Sequence, residues 1–172
     1  LVEFETCPVL VPSLQKSASL LKPLARLVLK SEKPIDLAVT ATISGWDVDI
    51  RGHGPASPEL RMKLTREAEA LDLARLSLHG DVIVERRAPQ ISIGRAKVIV
   101  PPGCFLQATE AGEAALQQEV LSHLKGPKRV ADLFAGIGTF AVRLAEQAPV
   151  HAVEGEASAL HALTRALRDV DR

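Results

Sequence analysis

The sequence predicts a mixed α/β chain in two parts. Residues 1–97 mix helix and strand as a small central domain, and residues 98–172 open a doubly wound, Rossmann-like domain that is not finished. Two observations predict the second part. From Thr109 onward the order is helix, strand, glycine loop, helix, strand, acid, helix. The run VADLFAGIGTFA over residues 130–141 also sets Gly136, Gly138 and Ala141 on the spacing G-x-G-x-x-G/A, directly after a strand. Composition supplies a third: with 47% apolar and 24% charged residues among 172, the chain can build the core of one ordinary domain or two small ones.

In the first part, Leu14, Ala18, Leu21, Ala25 and Leu29 recur at helical spacing over Ser13 to Lys30, and Pro23 predicts a kink or two short helices. Ile35 to Ser44 and Trp46 to Arg51 read as strands around a turn at Ser44-Gly45. In the second strand Trp46, Val48 and Ile50 alternate with Asp47, Asp49 and Arg51, which predicts one apolar and one wet face. Ser57-Pro58-Glu59 opens a helix with a capping hydroxyl, a proline at the first helical position and an acid in the first turn. Its expected stripe is Leu60, Leu64, Ala68, Leu71 and Leu78, with Gly80 as its end. Asp81 to Arg86, Gln90 to Ile93 and Lys97 to Val100 read as short strands.

In the second part, Thr109 caps a helix to about Leu124, with Leu116, Val120, Leu121 and Leu124 expected inward and Gly126-Pro127 as the stop. Arg129 to Leu133 is a strand and Thr139 to Gln147 a helix. Val150 to Val153 is a second strand, and Glu156 to about Val170 a final helix.

Charge and cysteine usage exclude several classes. Basic and acidic residues balance at 21 each, which argues against a blanket nucleic-acid coat. The longest uncharged stretch, Val98 to Thr109, holds two prolines and a glycine and cannot cross a bilayer. The first residues carry neither a basic nor an apolar leader, and Cys7 and Cys104 cannot form a disulfide scaffold. A cytoplasmic protein is expected.

The glycine loop points to a nucleoside cofactor. Glycines at 136 and 138 let the backbone turn tightly and lie against a ligand. Glu154, at the end of the next strand, offers acceptor oxygens to two ribose hydroxyls through charge-assisted bonds. NAD and S-adenosylmethionine both fit this pattern. Asp132 tilts the choice toward S-adenosylmethionine: a carboxylate is unwelcome beside a pyrophosphate, but it can help to hold a sulfonium or an α-ammonium.

Phe105-Leu106-Gln107, a helix, Asp132-Leu133-Phe134-Ala135-Gly136-Ile137-Gly138-Thr139-Phe140 and Val153-Glu154 together resemble the RNA 5-methyluridine (uracil-C5) methyltransferase family. The resemblance is close over about residues 98–165 and loose before them. It implies an incomplete class I methyltransferase domain, with S-adenosylmethionine held by Gln107, Phe134, Thr139 and Glu154. To these the residue reading adds Gly136, Gly138 and Asp132. Thr109 departs from the family, which often has Asn there. The implied chemistry is thiolate addition to uracil C6, attack of C5 on the sulfonium methyl, and removal of the C5 proton by a carboxylate. The family's nucleophile, base and Asp-Pro-Pro-Arg-type motif follow the second strand at a distance, and none is found in the eighteen residues after Glu154. The expectation is therefore a fragment or natural truncation, a monomer with no catalytic residue of its own and inactive alone.

The remaining residues are weighed individually. Cys104 is expected to be an inert, partly buried thiol rather than a nucleophile. Cys7-Pro8 resembles the last ligand motif of the four-cysteine [4Fe-4S] site of some family members, the other ligands lying before residue 1. Phe105 reads first as a core residue at the sheet edge and second as a candidate to stack on a flipped uracil. Trp46 reads as core and His53 as solvated, and the five histidines show no ligand spacing.

Lys16, Lys22, Arg26, Lys30 and Lys33, with Glu32, and further Arg61, Lys63, Arg66, Arg86, Arg87, Arg95 and Lys97, form a candidate face for rRNA or tRNA or a solvated surface. Two alternatives remain open beside the methyltransferase: a truncated NAD-dependent oxidoreductase, and a non-catalytic RNA-binding module.

Overall fold

The computed structural model describes residues 7–29 and 34–170, with no side-chain account of 169 and 170. The chain divides into two compact units between Pro89 and Gln90. That is eight residues before the division expected at 97/98. The hairpin 90–99 lies in the second unit because Ile93, Ala96 and Val98 are part of that unit's core.

The first unit begins with a 3-10 turn, Pro12–Leu14, and two short helices, α1 (Ser17–Leu20) and α2 (Lys22–Val28). Pro23 falls in the first turn of α2, where its missing N–H is not needed, so it separates two helices as expected. The buried positions differ from the expected stripe: Leu21, Leu24 and Val28 point inward, while Ala18 and Leu29 are exposed. The break at Leu21 restarts the helical phase.

Strand β1 (Asp36–Thr42) pairs antiparallel with β2 (Gly45–Arg51), and α3 (Pro58–Ala70) crosses to β3 (Arg75–Leu78), which runs parallel to β2. Antiparallel β4 (Asp81–Glu85) completes the order β1-β2-β3-β4. Ser57 Oγ caps α3 by accepting the Leu60 N–H at 3.2 Å. Leu60, Leu64 and Ala68 pack with α2 over Val48, Ile50, Leu76 and Leu78.

Two expectations fail here. Helix α3 ends at Ala70, and Asp72 at φ 51° turns the chain into β3, so Leu78 is a strand residue and Gly80 sits in the β3–β4 turn. The expected wet face of β2 is buried, with Asp47 7% and Asp49 6% exposed. The register explains it: Asp47 lies opposite Arg75 and Asp49 opposite Ser77. Arg75 donates to both Asp47 oxygens, Nε at 2.9 Å and a terminal nitrogen at 2.6 Å, and its other terminal nitrogen lies 3.4 Å from Glu85. Asp49 accepts from Ser77 Oγ at 2.8 Å, the Gly80 N–H at 3.0 Å and Arg51 at 2.9 Å. Burial opposes ionisation of Asp49, but the bonds from Arg51, Gly80 and Ser77 outweigh it and hold the carboxyl below its ordinary pKa.

The second unit opens with the hairpin β5 (Gln90–Ile93) and β6 (Ala96–Ile99). Helix α4 (Glu110–His123) follows, capped by Thr109 Oγ1 on the Gly112 N–H at 3.0 Å. Then come β7 (Val130–Leu133), α5 (Ala141–Ala145), β8 (Val150–Val153) and α6 (Ala157–Val170). Strands β7 and β8 pair in parallel, Val130 with Val150 through Leu133 with Val153. Alanines 159, 162 and 166 of α6, with Leu163, pack against Ile93, Ala96, Val98, Ile137 and Val142.

One face of the β7–β8 pair is partly covered, through Val130, Asp132, Val150 and Ala152; on the other, Leu133 and Val153 are 63% and 45% exposed. Helix α4 also departs from expectation. Leu116 is exposed and Val120, Leu121 and Leu124 are only half-buried, while Gln117 is the buried residue. No helix among the described residues is long and apolar enough to cross a membrane.

Candidate cofactor site

The loop between β7 and α5 is held from both sides. Ala135 N–H donates to the Val153 carbonyl at 3.1 Å, extending the β7–β8 pairing, and Gly138 N–H closes a turn on Ala135 at 2.9 Å. Glu154 follows β8 directly. One of its carboxylate oxygens accepts the Gly136 N–H and the other the Glu156 N–H, both at 2.8 Å. The acid thus pins the glycine loop to the end of the neighbouring strand. Those backbone donors, Glu156 first and then Gly136, hold Glu154 ionised below the usual carboxylate range. Each oxygen keeps a second lone pair for a hydroxyl donor.

The two glycines serve different purposes. Gly136, at φ 56°, has nothing within 4 Å of where a Cβ would stand. Gly138, at φ 99°, is buried, and a Cβ there would overlap Leu163 and Val142. The first leaves open space over the loop, and the second lets the loop pack tightly on α5 and α6. Phe134 adopts φ 60°, rare for a bulky residue, and its side chain is 90% exposed. Backbone strain of this kind gathers at ligand sites.

Asp132 lies on the covered side of β7. Burial raises its pKa, offset in part by the Ala141 N–H, and its Oδ2 is buried with no hydrogen-bond partner. Gln117 was not among the expected site residues. From the buried side of α4 its amide donates to the Thr139 carbonyl at 2.9 Å and to Glu113 at 3.0 Å, tying the helix to the glycine loop. Its signal in the sequence is the polar pair Glu113 and Gln117, one helical turn apart, behind a capping threonine. Gln107 is half-buried in the segment that leads into the cap of α4.

Elsewhere the expected residues divide. Phe105 is 80% exposed, so the core reading of it fails, while Cys104 packs half-buried against the second core and its thiol donates to the Phe105 carbonyl. Trp46 packs at the margin of the first core. His53 is partly exposed, with its carbonyl 2.5 Å from His79 Nε2. Cys7 is half-buried, and Gln15 bonds its backbone N–H and carbonyl. No three candidate metal ligands gather among the described residues.

Part of the expected basic face is paired with acids within the first unit. Arg61 pairs with Asp81, Lys63 with Glu59, and Arg86 and Arg87 with Asp72. Lys16, Lys22 and Arg26 are exposed, and Lys30, Glu32 and Lys33 lie outside the described residues.

No family model matches the sequence. Individual proteins do. The chain is 45% identical over 170 residues to an uncharacterised RNA methyltransferase of Brucella suis, covering 99% of this chain and 41% of that protein. It is 32% identical over 189 aligned positions to the 23S rRNA (uracil(1939)-C(5))-methyltransferase of Halomonas elongata, covering 95% of this chain and 37% of the relative. The first of these is an RNA methyltransferase by name, and the second a uracil-C5 methyltransferase acting on 23S rRNA. The chain spans about 41% of the length of the first relatives it matches.

The crystal structure of Pyrococcus abyssi tRNA (uracil-54, C5)-methyltransferase, in complex with S-adenosyl-L-homocysteine, superposes with a TM-score of 0.73 at 16% identity, over 99% of this chain and 47% of that one. The second unit thus resembles part of a Rossmann-like class I methyltransferase fold, and a four-stranded β-sheet unit precedes it.

Proposed function

We propose that this chain is the cofactor-binding part of an S-adenosylmethionine-dependent methyltransferase acting on C5 of uridine in rRNA or tRNA. The observation that carries the reading is the Glu154 carboxylate clamped to the glycine loop beside the open space over Gly136. An ionised acid at that strand end is suited to two ribose hydroxyls. The exposed Phe134 offers an aromatic face, and the buried, unpartnered Oδ2 of Asp132 leaves a second negative acceptor beneath the loop. That is a favourable setting for a cationic cofactor and a poor one for a pyrophosphate.

When bound, S-adenosylmethionine supplies the electrophilic methyl group. The chain's own residues hold and orient it: Glu154 through the ribose, Gly136 by close backbone approach, Gln107, Phe134 and Thr139 as flanking contacts, and Gly138 by fixing the loop. Phe105, exposed ahead of the cap of α4, is assigned to the uracil. Cys104 is turned to its neighbour's carbonyl and is not assigned as nucleophile. On this reading the 172 residues bind the cofactor without methylating RNA by themselves. Cys7 contributes one thiolate to an iron–sulfur cluster in the longer protein, which works as a monomer in the cytoplasm.

Isothermal titration with S-adenosylmethionine, S-adenosylhomocysteine and NAD tests the proposal. Selective binding of the first two, lost in Glu154→Ala, is the expected result. Binding of NAD alone overturns it in favour of an oxidoreductase.

A further inference from the structure

The second unit contains a cleft of about 320 Å³ between the β5–β6 hairpin and α6. Three cations line it: Arg95 and Lys97 from the hairpin and Arg165 from α6. All three are exposed, and no carboxylate lines the cleft among the described residues. The acid found near the hairpin turn is Glu146, beside Gly94, and it is already paired with Arg143 at 3.1 Å. Gln90 adds an amide, and Ile99 and Ala162 add an apolar wall. The contrast with the first unit is sharp, because the arginines there are largely matched by local acids. Three like charges converging on one concavity repel one another unless an anion lies between them.

We propose that this cleft seats a backbone phosphate of the substrate RNA, with Arg95, Lys97 and Arg165 surrounding the phosphodiester and a ribose against Ile99 and Ala162. The assignment rests on the RNA methyltransferase reading and adds to it a place where the strand is gripped, on the surface of the cofactor unit itself. A guanidinium binds a phosphate through paired donors and an ammonium binds it as a point charge, so both kinds of cation in the cleft can engage a phosphodiester. Phosphate contacts position a strand without reading its sequence.

The test is fluorescence anisotropy of the 172-residue chain with a labelled single-stranded oligouridine over a salt series. Titration with S-adenosylhomocysteine runs in parallel. Lys97→Glu/Arg165→Glu is expected to weaken RNA binding at least tenfold and to make the salt dependence shallower by about 1 per reversed residue. Lys97→Gln/Arg165→Gln gives an intermediate loss at unchanged melting temperature, and Lys125→Glu/Lys128→Glu, of equal charge change, has a smaller effect. Cofactor affinity stays unchanged throughout.

RNA affinity that ignores the cleft variants overturns the proposal and leaves the methyltransferase reading in place. A phosphate-dependent rise in melting temperature alongside that result assigns the cleft to a free anion instead. A chain that binds S-adenosylhomocysteine but no RNA also overturns it, whereas a chain that binds neither brings down the parent reading with it.

Discussion

Asp47 and Asp132 are both strand carboxylates, one in each unit, and the structure treats them in opposite ways. Asp47 lies opposite Arg75 across the β2–β3 register and is bonded through both oxygens. Asp132 has a buried oxygen with no partner and a pKa raised by burial. A buried carboxylate is tolerated when its charge and lone pairs are satisfied and costs stability when they are not. The first unit has used its buried polar chemistry on itself. The second keeps part of it unsatisfied beneath a glycine loop, a cost in stability that the proposed cofactor role would account for.

The largest expected effect breaks the satisfied side. Arg75→Met leaves Asp47 buried without its cation and should cost about 3–5 kcal/mol, read by thermal or urea unfolding of the first unit. Adding Asp47→Leu should recover much of that loss, because the uncompensated charge goes with it. Asp132→Asn should do the reverse and raise the melting temperature of the second unit at neutral pH. The sign follows from the raised pKa: stability is greatest with the carboxyl protonated and declines as pH climbs from 3.8 through the raised value. An Asp132→Asn protein that is less stable at pH 7 would end the comparison.

The glycines sharpen it next. Gly138→Ala forces a Cβ into Leu163 and Val142 at a positive φ, and should destabilise the second unit by about 3 kcal/mol. Gly136→Ala meets open space and bears only the left-handed backbone cost of about 1 kcal/mol, but should weaken cofactor binding. Equal losses of stability from the two would contradict their separate roles.

Glu154→Ala should lower affinity for S-adenosylhomocysteine about 30-fold in a folded protein. Its depressed pKa also sets a pH window. The carboxylate stays charged as pH falls to 4.5, and its contribution to loop order disappears only below that, as protonation sets in. Calorimetry at several acidic pH values would show the onset. The smallest effect is that of Gln117→Leu. Losing the bond to Thr139 should cost about 1 kcal/mol of stability, with a several-fold rise in cofactor Kd, because the loop's far side is released. Unchanged affinity would reduce Gln117 to a packing residue.

Much of the architecture is local and could be read in advance. Ser57 and Thr109 cap the helices that they precede, because a hydroxyl reaches an N–H three residues on in any context. The turn at Gly45, the split helix at Pro23 and the acid at the end of β8 belong to the same kind of signal. Burial was less legible. The alternation in β2 marks Asp47 and Asp49 as wet, and nothing within six residues of them says otherwise. Leucine spacing in α4 likewise points away from Gln117.

Element order, the caps, the glycine loop between β7 and α5, and Glu154 beside it are all written in local stretches of the chain. Each depends on neighbours a few residues apart, where backbone geometry leaves few choices. Packing of distant elements is what sets Arg75 against Asp47 from 28 positions away, and Gln117 against the loop from 22. It also made one glycine a contact surface and the other a packing necessity. Those outcomes depend on which elements meet, and a buried charge or a crowded Cβ has no energy until its surroundings exist.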